Sequence, residues 1–340
     1  MGDKSLKKKY INALQVGERV NDYFVATGAT LTPFRPESGK SGCFLRCTLS
    51  DRSGSLPAIM WEGGEDVFPR LQGNAIVRVL GTVGQYRGEL QVVVDRLTTA
   101  VGSVDPSCFL PQAPRSRQEM EKELQIAIKK VQTEPLSWLL NDLFSDQSFY
   151  RHFIQAPAAK NVHHAYLGGL LEHTLETFCF ATVVANRYPE YINRDLLFTG
   201  AILHDCGKII EYEWEGLAFS LTDQGRLFGH LVLGAKLVEE RIGRHSNFPV
   251  AIKQELIHMI LSHHGTQEWG SPQPPKTINA FALHHVDYLS SELNHFQGLL
   301  DGASASASGL WTAMDWKLGR SVFRGFLTCD NAAAAREGED

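Results

Sequence analysis

The sequence predicts a multidomain α+β chain, a small five-stranded β-barrel followed by an all-helical domain. Three observations carry the prediction. Short apolar runs separated by Gly-, Ser- or Asp-bearing turns fill the first hundred residues, a proline-bearing break interrupts them, and helical periodicity then runs almost to the end. With 340 residues, 43% of them hydrophobic and 21% charged, the chain is long enough for two domains of ordinary globular composition.

After a basic cluster at Lys4, Lys7, Lys8 and Lys9, which suits either a solvated tail or a contact with phosphates, five strands are expected. They are Tyr23 to Ala26, Cys43 to Leu49, Leu56 to Trp61, Ala75 to Leu80 and Leu90 to Val94, with a turn at Asp51-Arg52-Ser53-Gly54. The run from Leu45 to Trp61 resembles the OB-fold modules that bind single-stranded nucleic acid, which combine a basic groove with aromatics on which bases stack. Phe44, Trp61, Tyr86, Arg46, Arg78 and Arg87 are the groups available for that task, and Phe44 and Trp61 fit a plain barrel core equally well.

From Val101 to Arg117 the periodicity stops, and Pro106, Pro111 and Pro114 mark a linker. Gln118 to Thr133 reads as a helix that packs by a narrow apolar stripe or bridges the domains. Helices are then expected over Leu136–Phe144, Leu170–Tyr188, Leu196–Leu203, Leu227–Arg241, Val250–His264 and Ala280–Leu300, with a terminal run at Ala332–Ala335 and no strands between them. Ser304 to Gly309 is a low-complexity loop. The expected boundaries are 12–104 for the barrel, 105–134 for the linker and connecting helix, 135–328 for the helical domain and 329–340 for a tail.

Charge divides unevenly along the chain. Residues 1–105 carry 13 Lys/Arg against 11 Asp/Glu, whereas residues 106–340 carry 20 against 27, for an overall −5. The net −5 argues against a general polyanion-coating protein, and the split suits a binding module joined to a metal-dependent catalyst. Cys43, Cys47, Cys108, Cys179, Cys206 and Cys329 form no CxxC pair and no even framework, so reduced thiols in a cytoplasmic protein are expected, with Cys43 and Cys47 as strand residues. Neither a signal peptide nor a membrane-spanning apolar run is present.

The apolar run Ala201-Ile202-Leu203 leads straight into His204-Asp205, with Cys206-Gly207-Lys208 behind. Two potential ligands carried into the interior without a polar buffer would be costly unless something pairs them, and a metal ion uses the carboxylate charge and the imidazole lone pair together. Nine of thirteen histidines sit where the helical pattern turns inward or ends: His163, His164, His173, His204, His230, His263, His264, His284 and His285. Ile257, Ile260 and Leu261 place His264 on a buried stripe, and Ala280 and Leu283 do the same for Asp287.

In order, His173, His204-Asp205 with Gly207-Lys208, and Asp287 resemble the HD superfamily of metal-dependent phosphohydrolases, and His230 with His263-His264 extends the pattern to its two-metal members. The segment His163-His164-Ala165-Tyr166-Leu167-Gly168-Gly169-Leu170-Leu171-Glu172-His173-Thr174, together with the OB-like module, is similar to the YhaM-type 3′→5′ exoribonucleases. The resemblance implies His173, His204, Asp205 and Asp287 as ligands of one metal, with Asp205 bridging to a second held by His230, His263 and His264. It further implies single-stranded RNA as substrate, with DNA and a homo-oligomer left open.

Two cations about 3.5–4 Å apart acidify a bridging water and hold phosphodiester oxygens for in-line attack. His and Asp ligands without thiolate suit manganese, cobalt, iron or magnesium better than structural zinc. Lys208, one turn after His204, is either a cation for the phosphate or a surface lysine. His163 and His164 either contact substrate or cap the helix carrying His173, Cys206 reads as a small buried filler, and Arg320 with Arg324 as a solvated face. Gly168-Gly169 allows a close backbone approach. Two other functions compete with exonucleolysis. A phosphohydrolase of a small nucleotide is disfavoured by the barrel, and a non-catalytic nucleic-acid binder with a structural metal is disfavoured by a ligand set larger than about four.

Overall fold

The computed structural model describes residues 7–34, 39, 41–71, 75–86, 89–99, 108–110, 112–159, 164–213, 219–301 and 310–324. Period-two burial builds the first domain, because alternate residues of each strand turn inward. Strands β1 (Arg19–Pro33), β2 (Cys43–Asp51), β3 (Gly54–Met60), β4 (Ala75–Tyr86) and β5 (Glu89–Thr99) close into a barrel in the order β1-β2-β3-β5-β4. Pairing is antiparallel except where β3 meets β5 in parallel and shuts the barrel. A short helix α1 (Gly64–Val67) sits between β3 and β4. Phe24, Leu45, Leu49, Val77, Val79, Val83 and Val92 fill the interior. All five expected strands are present and run past their apolar cores, except that β3 begins two residues early and ends at Met60, which leaves Trp61 beyond it.

Cys108 and Phe109 of the linker pack on the outside of the barrel against Val25, Tyr23 and Ile76. Beyond it the chain is helical: α2 (Arg117–Lys129), α3 (Glu134–Ser145), α4 (Gln147–Phe153), α5 (Gly169–Arg187), α6 (Arg194–Leu203), α7 (Lys208–Glu211), α8 (Asp223–Ile242), α9 (Val250–Ser262) and α10 (Ile278–Asp301). Helix α2 uses its narrow stripe, since Met120, Leu124, Ala127 and Ile128 enter the same core as the later helices. At the centre lies α6, whose residues Leu196 to Leu203 are all buried, so this helix is apolar on every face. Asn193 caps it by accepting from the Leu196 N–H at 3.1 Å, and its C-terminal end delivers His204 and Asp205 to the interior.

Helix α7, helix α4 and one short ladder depart from the expected helices. Helix α4 escapes a periodicity reading because it has only seven residues; Asp146 caps it through Ser148 and Phe149, and Phe149 and Phe153 stack on each other and both pack edge-on against Phe144. A two-residue ladder, β6 (Tyr212–Glu213) with β7 (Ser220–Leu221), also interrupts the helices. The expected Ser304–Gly309 loop and Ala332–Ala335 run lie outside the described residues. Cys43 and Cys47 are strand residues of β2, and Cys206 is fully buried filler against Gly234. No helix among the described residues is long and apolar enough to cross a membrane.

Candidate metal centre

Five helical segments converge at the end of α6. His173 comes from the first turns of α5, His204 and Asp205 follow α6, and His230 comes from α8. His263 and His264 follow α9, and Asp287 comes from α10. The expected helix through His264 stops at Ser262, so both histidines stand at its C-terminal end rather than on its stripe. Local backbone makes two of these placements. Gly229 adopts φ 67° and ψ 160°, which breaks α8 one residue before His230 and turns that ring inward. At Gly207 a Cβ would lie 2.1 Å from the His230 carbonyl oxygen and 2.5 Å from the Gly234 nitrogen, so its hydrogen lets α8 touch the turn carrying Asp205.

The donors form two groups that share one carboxylate. Around Asp205 Oδ2 lie His173 Nε2 and His204 Nε2, each at 3.5 Å, with Asp287 Oδ1 3.0 Å from His173 and 3.7 Å from His204. Around Asp205 Oδ1 lie His230 Nε2 at 3.4 Å and His263 Nε2 at 3.5 Å, and His264 Nε2 is 3.2 Å from His230 Nε2. Three sets of donors lie mutually within 4.8 Å: His173, His204 and Asp287; His204, Asp205 and His263; and His230, His263 and His264.

Each ring is aimed by its other nitrogen. His204 Nδ1 is 3.0 Å from the Ala201 carbonyl, His263 Nδ1 2.7 Å from that of Ile260, and His264 Nδ1 2.8 Å from that of Trp269. Ser290 Oγ, 3.1 Å from His173 Nδ1, donates in turn to Glu176. Glu211 serves His230, 3.0 Å from its Nδ1 and accepting its backbone N–H at 2.9 Å. Acceptors at all five Nδ1 atoms place the proton there and turn five Nε2 lone pairs to the centre, the arrangement of metal-bound imidazoles.

Electrostatics point the same way at His173 and His264, while His204, against the pull of its burial, is raised by the Asp205 and Asp287 carboxylates, a positive charge that a cation between them would supply instead. Burial pulls the His173 ring down to about 4 and the His264 ring to about 3, so both are neutral donors at pH 7. Burial opposes ionisation of Asp205, yet the Lys208 ammonium and the His204 ring hold its carboxyl well below the usual range. Asp287 is likewise ionised despite burial, through His173 and His204. Asp205 Oδ1 is buried and has no hydrogen-bond partner among the described residues. A carboxylate oxygen left without a donor at that depth costs several kcal/mol, on the order of 2–7 for a polar group and more for a charge, whereas a divalent cation between it and the Nε2 atoms satisfies all of them. The residues fit divalent metal.

Lys208 is buried, 6% exposed, with Nζ 2.6 Å from Asp205 Oδ2, so the surface-lysine alternative is ruled out. His164 is also buried and sits 3.4 Å from Glu176, and its ring does not cap α5, whose N-cap is Gly168 at φ 81°. Gly169 packs so tightly on the His164 carbonyl that a Cβ would lie 2.0 Å from it, which accounts for the glycine pair. His163 lies outside the described residues. His285 corrects the inward reading: it is exposed on α10. His284 contributes indirectly, its Nδ1 lying 2.7 Å from the His263 carbonyl. Glu211, Glu176 and Ser290 were missed in the sequence, where a carboxylate or hydroxyl on a helix carries no mark of a histidine partner.

On the barrel, Phe44 and Trp61 are not core. With Phe34 they form a surface cluster, centroids 5.0 Å apart for Phe44–Trp61, 5.3 Å for Phe34–Phe44 and 6.2 Å for Phe34–Trp61, and Trp61 is 41% exposed. Phe34 was missed because it follows the end of β1. Arg46 is exposed on β2 two residues from Phe44 and so shares its face. Arg78 is exposed but elsewhere: it faces Tyr23, whereas Phe44 faces Thr32 nine residues further along β1, and its Nε donates to Asn21 Oδ1 at 3.0 Å. Arg87 lies outside the described residues.

Comparison with known proteins agrees with both halves. The model of the HD domain matches residues 170–292, and that of the OB-fold nucleic acid binding domain matches residues 31–100. Among solved structures, the second OB-fold domain of replication protein A from Methanococcus maripaludis aligns at 21% identity over 28% of this chain and 98% of that one, with a TM-score of 0.24. An OB domain from Thermoplasma acidophilum aligns at 17% over 28% and 88%, also with a TM-score of 0.24. The curated 3′-5′ exoribonuclease YhaM of Geobacillus sp. (strain WCH70) is 32% identical over 292 residues, 84% of this chain and 86% of that protein. At that identity and coverage, with both domains in the same chain, this protein belongs to the YhaM family of 3′→5′ exoribonucleases.

Proposed function

We propose that the chain is a metal-dependent 3′→5′ exonuclease that hydrolyses single-stranded RNA, and accepts single-stranded DNA, with manganese as the resident ion. His173, His204, Asp205 and Asp287 hold one cation; Asp205, His230, His263 and His264 hold a second. The observation that supports this best is the Asp205 carboxylate, which turns one oxygen to each histidine group. When bound, two such cations supply a water acidic enough to act at neutral pH and neutralise phosphodiester oxygens.

The protein's own part is positioning. Nδ1 hydrogen bonds hold the five rings in register before substrate arrives, and such prepaid orientation is worth several orders of magnitude in rate. With five neutral imidazoles and only two carboxylates as donors, the loaded centre stays net positive, complementary to a phosphodiester. Lys208 adds a cation against Asp205 Oδ2, where its ammonium reaches toward a bound phosphate. His173, His204 and His263 are at most 1% exposed, while His230, His264 and the Asp287 side chain reach the surface, so substrate enters past those three. His164, just ahead of α5, is a supporting group for that end of the strand, and His163, its neighbour in sequence, is read in the same role.

The barrel, residues 12–104, feeds the strand. Phe34, Phe44 and Trp61 stack bases at about 1–3 kcal/mol each while Arg46, on the same face, meets phosphates. Residues 105–134 are read as the connection to the catalytic unit, 135–328, although α2 within them packs into that unit's core, and 329–340 is a tail outside the described residues. End-labelled single-stranded RNA and DNA, incubated with purified protein and manganese and resolved to single nucleotides, test the reading. A ladder receding from the 3′ end, abolished by chelator, is expected; full activity in excess chelator would overturn it.

A further inference from the structure

On the open side of the metal centre the chain builds an aromatic pair that no step above uses. Trp269 ends the 3-10 turn Gln267–Trp269 that follows His264, and Tyr288 is the residue after Asp287 on α10. Their rings are stacked, 11° from parallel with centroids 5.3 Å apart, yet they remain 53% and 43% exposed. Both are tied to ligand-bearing backbone. The Trp269 carbonyl accepts from the His264 ring at 2.8 Å, and the indole lies 6.2 Å from His284, whose Nδ1 holds the His263 carbonyl.

We propose that the Trp269–Tyr288 stack is the platform for the 3′-terminal nucleobase, an inference that rests on the exonuclease reading above. Substrate enters where the centre reaches the surface, past His230, His264 and Asp287, because His173, His204 and His263 are sealed. A phosphodiester at the centre then places its terminal base beside these two segments. Glu268, an exposed carboxylate next to the indole, repels phosphate, so this surface holds a base and not the backbone. An indole already stacked on a phenol keeps one flat face for a further ring, and stacking accepts any base, which suits an enzyme that removes successive nucleotides without regard to sequence.

The test uses the intact, manganese-loaded chain and short single-stranded RNA whose 3′-terminal residue either carries a base or is abasic. The rate constant kcat/KM for the first cleavage is measured for wild type, Trp269→Ala, Trp269→Phe and Tyr288→Ala, with metal content and sedimentation followed in parallel. Wild type should favour the base-bearing strand by about 5- to 150-fold, the range one stacked base provides. Trp269→Ala should lose most of that preference, Trp269→Phe should regain most of it, and bound metal should be unchanged. The platform is overturned if Trp269→Ala keeps the wild-type preference or wild type has none. Lost metal in Trp269→Ala overturns it in favour of a structural role, and dissociation of an oligomer in favour of contact with a second copy. A metal-loaded wild type that cuts neither strand overturns the exonuclease reading itself, and the platform with it.

Discussion

Replacing Gly207 by alanine should separate the two halves of the metal centre. The added Cβ would stand 2.1 Å from the His230 carbonyl oxygen and 2.5 Å from the Gly234 nitrogen, both backbone atoms, where contacts under 3.0 Å essentially do not occur. The α8 backbone must therefore retreat by at least the difference from 2.1 to 3.0 Å, about 0.9 Å. Metal–ligand distances tolerate roughly 0.2 Å, so a shift of that size takes the His230 ring out of range of any cation that Asp205 Oδ1 still holds. His173 and Asp287 stand on α5 and α10 and His204 directly follows α6, three elements separate from α8. Overpacking should cost about 1–3 kcal/mol of stability, leaving a folded chain. Elemental analysis of Gly207→Ala should give one metal less per chain than wild type, and exonuclease turnover should fall about 100-fold or more, the cost of an ångström-scale misplacement. Undiminished metal content together with undiminished turnover would refute the claim that this glycine sets the approach of His230.

Other changes probe the remaining parts. Asp205→Asn should lower metal content further than loss of His264 does, since one carboxylate serves both groups; equal losses in elemental analysis would contradict the shared role. Glu211→Gln keeps an acceptor but removes the charge behind His230, and titration with manganese should show one class of site weakened about 10- to 100-fold while the other is unchanged. A chain beginning at Gln112 keeps Met120 and Leu124 in the helical core and discards the Cys108–Phe109 patch along with the barrel. It should still hydrolyse bis-p-nitrophenyl phosphate but bind long RNA weaker by one to several orders of magnitude, and a filter-binding measurement showing unchanged affinity would reassign the barrel to assembly.

The fold was legible where periodicity had room to repeat. Five alternating strands and seven helices stand out because each buries one face over several turns or pleats, and the prolines at 106, 111 and 114 mark the break between the two periods. Helix α4 and the two-residue β6–β7 ladder did not, because seven residues and two residues are too short to show a period. Helix α9 was read two residues too long for a related reason: His263 and His264 continue its stripe in sequence, but the helix gives way to the turn that ends at Gly265, φ 85°, where an extended α-helix would carry both rings away from Asp205.

At the centre, residue identity and residue aim parted. His173, His204, Asp205, His230, His263, His264 and Asp287 could be picked from chemistry and inward spacing, and the structure brings the seven together. His285 shared the same composition and spacing cues and is exposed, because α10 turns its next-door neighbour Val286 and Asp287 inward instead. What decides between such candidates is the second nitrogen. Three of the five rings are aimed by backbone carbonyls, of Ala201, Ile260 and Trp269, and a carbonyl is present at every residue of every sequence. Only the Glu211–His230 and Ser290–His173 contacts use side chains, and those partners lie 19 and 117 residues from their rings. The candidate donors are thus a property of the sequence and their convergence a property of the backbone. That is why the positions most sensitive to small substitutions are glycines such as Gly207 and Gly229, which donate nothing to a metal and fix where the donors point.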